Sequence, residues 1–146
     1  MEYNLERFVE AQKRDYQQAL SEIKSGRKMS HWIWYVFPQL DGLGKSYNSH
    51  YYGIKNEEEA IRYMQNSYLK NNMIEICNAL LSVENKSARD VMGQIDDYKL
   101  KSCMTLFANV CEENQIFLDV LDKYYNGRQD RRTLKILERN KENKRV

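Results

Sequence analysis

Apolar residues recur at a spacing of three and four along most of the chain, the pattern of helices that each bury one face. Leu5, Phe8, Val9, Gln12, Tyr16, Ala19, Leu20 and Ile23 share such a face and predict a helix from Leu5 to Ser25, with Gly26 as its left-handed stop. Beyond Lys55 the pattern returns. Asn56 with Glu59 resembles a capping box and opens a helix to Asn66 that turns Ala60, Ile61 and Met64 inward. Ser67 is the expected cap of the next, whose stripe is Leu69, Met73, Ile76, Cys77, Leu80 and Leu81. Ser87 and Asp90 start a brief helix closed by Gly93. The cleanest stripe, Leu100, Cys103, Met104, Phe107, Val110 and Cys111, follows Asp96 as expected cap. Ile116, Phe117, Val120, Leu121, Tyr124 and Tyr125 precede Gly127, and Asp130 caps a last helix bearing Thr133, Leu134 and Leu137.

One stretch breaks this rhythm. His31 to Phe37, HWIWYVF, reads as a short helix capped by Ser30 that must end near Pro38, or as a strand favoured by its aromatic and β-branched residues. It is too short for periodicity to decide. Gln39 to Lys55 reads as an ordered loop, with glycines, Asp41, Asn48 and Ser49 as turn formers. The sum is an all-α fold: a single compact domain of about seven helices over residues 1–140, with an ordered Gly/aromatic loop region near residues 38–55 and a basic tail, 141–146, that has no apolar anchor and should fray.

Composition sharpens this in three ways. One proline and six glycines in 146 residues make long helices easy to sustain, and a hydrophobic share of 42% supplies a core without a metal or a disulfide framework. A net charge of +2 argues against nucleic acid as the partner, because dedicated electrostatic binders carry a strong basic excess. The longest apolar run, Trp32 to Phe37, is far short of a membrane span, and three cysteines without CxxC spacing fit reduced thiols, so a cytoplasmic setting is expected.

Both histidines, both tryptophans, the proline and Gly26, Gly42, Gly44 and Gly53 fall within residues 26–53, which marks the candidate site. Trp32 and Trp34 suit the wall of a partly wet pocket for a flat ligand. His31, beside Arg27 and Lys28, is of the residue type suited to proton transfer near neutrality and the first candidate for acid/base work. The run Gly44, Lys45, Ser46 suggests a phosphate loop but lacks the glycine five positions earlier, where Gln39 stands. A weaker role remains, in which glycine amides with Lys45 and Ser46 hold an anionic group. Asp96, Lys99, Ser102 and Thr105 lie at three-residue steps on one helix flank, and Gln12 and Glu22 are polar groups among apolar positions that need a partner or a cavity. Neither histidine nor cysteine spacing suits a metal, and no cofactor is predicted.

The strings FVEAQ, ALSEIKSGRKMSHWIWYVFPQLDGLGKS, EEEAIRYM, GQIDDYKLKSCMTLF and FLDVLDKYYNGRQDRRTL resemble the bacterial family catalogued as domain of unknown function 1810. The resemblance covers roughly positions 5 to 137, and its hallmark is Gly-Arg-Lys-x-Ser-His-Trp-x-Trp followed by Phe-Pro-Gln. It implies a small, mainly helical cytosolic protein and no established activity. Among the positions it carries over are Gln12, Glu22, Lys28, His31, Trp32, Trp34, Gln39, Gly44, Ser46, Asp96, Lys99, Ser102 and Thr105.

The leading expectation is a pocket that binds, and in its stronger form processes, a small anionic nucleotide-like metabolite. His31, Asp96 and Lys99 are the catalytic candidates. Gln12, Lys28, Trp32, Trp34, Gln39, Gly44, Lys45, Ser46, Ser102 and Thr105 are the binding candidates. The alternative is a non-catalytic module that docks a protein partner through an exposed aromatic segment, since aromatics are enriched at interface centres. Neither reading involves a membrane.

Overall fold

The structure is a computed structural model that describes residues 2–144. Among the described residues there are nine helices: α1 (Glu6–Lys24), α2 (Ile33–Val36), α3 (Tyr47–Tyr51), α4 (Glu57–Gln65), α5 (Ser67–Ser82), α6 (Ala88–Met92), α7 (Asp96–Val110), α8 (Gln115–Tyr125) and α9 (Arg131–Lys144). The all-α class holds. No described helix is long and apolar enough to cross a membrane.

The stripes read from the sequence face one shared core, except that in α4 Tyr63 is buried while Ile61, expected inward, is 37% exposed. α1 packs along α5, α5 against α8, and α7 against α8 and α9, while the single turn of α2 touches both α1 and α7. An aromatic file runs through the centre: Phe8 meets Tyr63 edge-on at 5.1 Å, Tyr63 meets Phe107 at 5.4 Å, and Phe107 meets Phe117 at 5.7 Å. Each of these four rings is at most 1% exposed, so their burial supplies much of the drive to fold.

Buried polar groups tie the core at fixed points. Gln12 donates to the Tyr35 carbonyl at 2.7 Å and to the Tyr63 hydroxyl at 2.9 Å, and accepts from Asn72 at 3.0 Å. Arg7 pairs with Glu59 at 3.0 Å and donates to the carbonyls of Tyr51 and Gly53, which pins the 39–55 segment against α1 and α4.

Several ends differ from expectation. His31–Phe37 is neither a full helix nor a strand but the four residues of α2, and Ser30 does not cap it because α2 starts only at Ile33, with Trp32 in the cap position, while the Ser30 hydroxyl donates to Glu22. The 38–55 segment is ordered, yet it contains α3, capped by Ser46 through the Ser49 amide, and a parallel bridge between Leu40 and Ile54. Gly53 is required there, because a Cβ would sit 2.7 Å from the Asp41 Cα. Asn66 rather than Ser67 caps α5. Asp96 is the first residue of α7, not its cap; Ile95 holds the cap position and offers no side-chain hydrogen bond. The Ser87–Asp90 capping box and the Asp130 cap stand as read. α9 extends through Lys144, into the tail read as 141–146, where Lys141 and Glu142 are strong helix formers. Residues 145–146 of that tail lie outside the described residues.

Candidate functional site

The site is built on a reversal after α1. Gly26, at a φ of 84° that only glycine adopts freely, ends the helix and turns the chain back. Its return strand of backbone is then gathered around one carboxylate. Glu22 accepts hydrogen bonds from the amides of Met29 and Ser30 at 2.7 and 2.9 Å, from the Ser30 hydroxyl at 2.7 Å, from Trp32 Nε1 at 2.9 Å and from Gln18 at 3.1 Å. Burial alone would push its pKa up, but the Met29 amide, the Ser30 hydroxyl, the Trp32 indole and the Ser30 amide outweigh it and bring the pKa down to about 2. This buried anion is neutralised by dipoles, and it fixes the loop that carries Lys28 and Trp32 and leads into α2, which carries Trp34.

The Lys28 amide donates to the Val91 carbonyl at 2.7 Å, which fastens the loop to α6 and aims the lysine at the start of α7. There Lys28 Nζ meets Asp96 Oδ2 at 2.8 Å, donates to the Ser30 carbonyl, and lies over the Trp32 ring at 4.9 Å. Lys99, one turn along α7, meets the other carboxylate oxygen, Oδ1, at 3.2 Å and lies over the Trp34 ring at 5.3 Å. Two ammonium groups thus share one carboxylate, leaving a net charge of +1 on the cluster. Lys28 has two donors engaged and a side chain only 5% exposed, whereas the Lys99 side chain is 23% exposed and keeps donors to spare.

These groups line an open cavity of about 650 Å³. Lys28, Asp96, Lys99 and Trp34 form its charged and aromatic side, Ser30 and Gln94 add polar groups, and Met29, His31 and Ile95 stand at its exposed rim. The cavity also borders residues 93–96, where α7 begins without a side-chain cap, and a helix N-terminus favours negative charge. A positive, partly aromatic recess of this kind suits an anion carrying a flat group.

Of the residues singled out by sequence, the cavity brings together Lys28, His31, Trp34, Asp96 and Lys99. Gln39 lies next door, in a small chamber that also borders Trp34 and Lys99. Trp32 is 1% exposed and reaches the site only through its ring beneath Lys28. Gln12 is saturated within the core. The Ser102 and Thr105 hydroxyls donate to the carbonyls of Tyr98 and Lys101 on their own helix, and Lys99 bonds to Asp96 rather than to Ser102. Gly44 packs against Ser49, Ser46 caps α3, and Lys45 is exposed away from the cavity lining. Sequence reading missed Met29, Gln94 and Ile95, which carry no motif and come together only through the loop that Glu22 holds.

A larger cleft, about 750 Å³, runs between α4, α5 and the α7–α8 turn. Ile61, Met64, Ile74, Val110 and Phe117 give it an apolar floor, but its charges, Lys70, Glu112 and Glu113, form no bonded cluster. Convergent polar groups distinguish a ligand site from a groove, which favours the smaller cavity.

A family described as "Protein of unknown function (DUF1810)" matches residues 2–137. The chain belongs to this family. No curated protein matches it. Its structure is similar to the crystal structure of the conserved hypothetical protein Rv1873 from Mycobacterium tuberculosis, with 43% sequence identity, a TM-score of 0.92, and coverage of 93% of this chain and 97% of that one. The DUF1810 match spans every residue of the cavity.

Proposed function

We propose that the cavity binds a small anionic, nucleotide-like metabolite. The observation that carries this reading is the pair of lysines sharing Asp96 at the uncapped start of α7. Lys99 is the anion contact, and Lys28 holds Asp96 in place. The Trp34 face takes a flat group, with the exposed Met29 and Ile95 side chains closing over its apolar surface. His31 at the rim, with Asp96 and Lys99 inside, is the set to which acid/base processing of the ligand falls. A cytosolic setting belongs to the same reading and is supported by the free thiols of Cys77, Cys103 and Cys111.

A thermal-shift screen against nucleotides, dinucleotides, ADP-ribose and sugar phosphates tests this. A ligand at a hundredfold its Kd adds about 2.7 kcal/mol of stability. The expected hit disappears in Lys99→Ala protein of unchanged circular dichroism. A hit that survives that substitution places the ligand elsewhere, and silence across the panel ends the reading. A protein partner is the second reading, supported by the exposed, stacked Tyr47 and Tyr51 rings at 5.8 Å. The wider aromatic surface it needs is reduced by the burial of Trp32 and Phe37. Silence in the screen together with one reproducible partner would favour it.

A further inference from the structure

The two tryptophans of the site differ in one atom's fate. Trp32 Nε1 donates to Glu22 at 2.9 Å, whereas Trp34 Nε1 is buried and has no hydrogen-bond partner. Buried indole N–H groups ordinarily find an acceptor, and leaving one unpaired costs its full desolvation. Trp34 and Lys99 line both the open cavity and a chamber of about 10 Å³, room for roughly one water-sized atom. The rest of its lining is the polar side chains of Gln39, Asn48 and Ser49 together with Ile33, Phe37 and Tyr52.

We propose that the chamber is a subsite for a single acceptor oxygen of the bound anion, to which Trp34 Nε1 donates and Lys99 supplies the charge. This rests on the anion-binding reading and narrows it. The ligand carries a phosphoryl or carboxylate group, one oxygen of which enters the chamber beside Trp34 and Lys99, the two groups common to both spaces. Trp34 then serves twice, its face toward the flat part of the ligand and its N–H toward the oxyanion.

The two indole N–H signals of ¹⁵N-labelled protein supply the test, assigned by their loss in Trp34→Phe. On titration with inorganic phosphate and with AMP, the Trp34 signal moves downfield while the Trp32 signal, already bonded to Glu22, stays in place. Trp34→Phe keeps an aromatic ring and removes the donor, and it weakens phosphate binding by about tenfold or more, the usual loss for a hydrogen bond to a charged group. If other amides around Lys99 respond to phosphate while the Trp34 signal is still and Trp34→Phe binds equally well, the subsite is wrong and the anion reading stands. A Trp34 signal that is already downfield without phosphate and does not move reveals a resident water and overturns the subsite too. If neither probe moves any signal, both readings fall.

Discussion

Glu22 and Asp96 are carboxylates on two long helices that meet the same loop, and the protein uses them in opposite ways. Glu22 is closed: five donors from Gln18 and residues 29–32 surround it, no cation takes part, and nothing is left over for a ligand. Asp96 is open: two lysines bind it at 2.8 and 3.2 Å, and the cluster keeps an excess positive charge facing a cavity. A carboxylate neutralised by dipoles makes scaffold, because every group that could bind something else is consumed. One paired with more cations than it needs leaves positive charge to offer, which is what the proposed site requires.

The largest effect should come from the closed side. Glu22→Ala strips the acceptor from buried donors that include Trp32 Nε1 and the Met29 amide, and it should lower stability by about 3 kcal/mol in urea unfolding. Glu22 also sets an acid limit. Its pKa falls from 4.5 to about 2 on folding, so its contribution is complete above 4.5 and is lost as pH drops from there towards 2. Asp97 titrates in the opposite sense, its pKa raised chiefly by burial, so it costs stability as pH climbs through that raised value. Glu22→Gln should therefore flatten or reverse the acid limb of the stability curve. A limb unchanged in that variant would mean that Glu22 is not the group that makes the fold acid-sensitive.

On the open side the sign inverts. Trp34→Phe removes an unpaired buried donor and leaves a smaller aromatic ring, so relief of the unpaired donor, less the packing lost with the indole, should leave the ligand-free protein about 1 kcal/mol more stable in thermal or urea unfolding. Stability and binding then move apart, as expected where a site holds a polar group ready for a partner. A loss of stability on this substitution would place Trp34 with Glu22, among the residues that hold the fold.

The sequence made the long helices legible because their stripes, caps and glycine stops are local signals. The Asn56, Ser87 and Asp130 caps are read within three residues of themselves. α3 escaped because YNSHY is too short to show a period and its aromatics look like loop packing. The site was half legible. Clustering of Trp, His and Gly pointed to residues 26–46, and three-residue spacing pointed to Asp96 and Lys99. What joins them, Lys28 to Asp96, spans 68 positions, and no pattern along a chain encodes a contact of that range. Glu22 stood out only as a charge in an apolar stripe, since its donors depend on a loop path that local rules do not give.

The smallest expected effect is the one that separates motif from geometry. Gly44-Lys45-Ser46 has the lettering of a phosphate loop, but Ser46 spends its hydroxyl capping the five residues of α3, and Lys45 is exposed outside both the cavity and the chamber. An exposed lysine with no partner contributes little to folding, so Lys45→Ala should change stability by less than about 0.5 kcal/mol. Phosphate affinity should stay level as well, apart from the slight weakening that loss of one distant, salt-screened charge produces. Raising the salt concentration distinguishes the two cases. A long-range contribution from Lys45 disappears at high ionic strength, whereas a direct contact leaves a deficit that persists. A persistent tenfold loss would show that the 41–46 loop folds over the anion, and the site would then extend from Asp96 to the glycines.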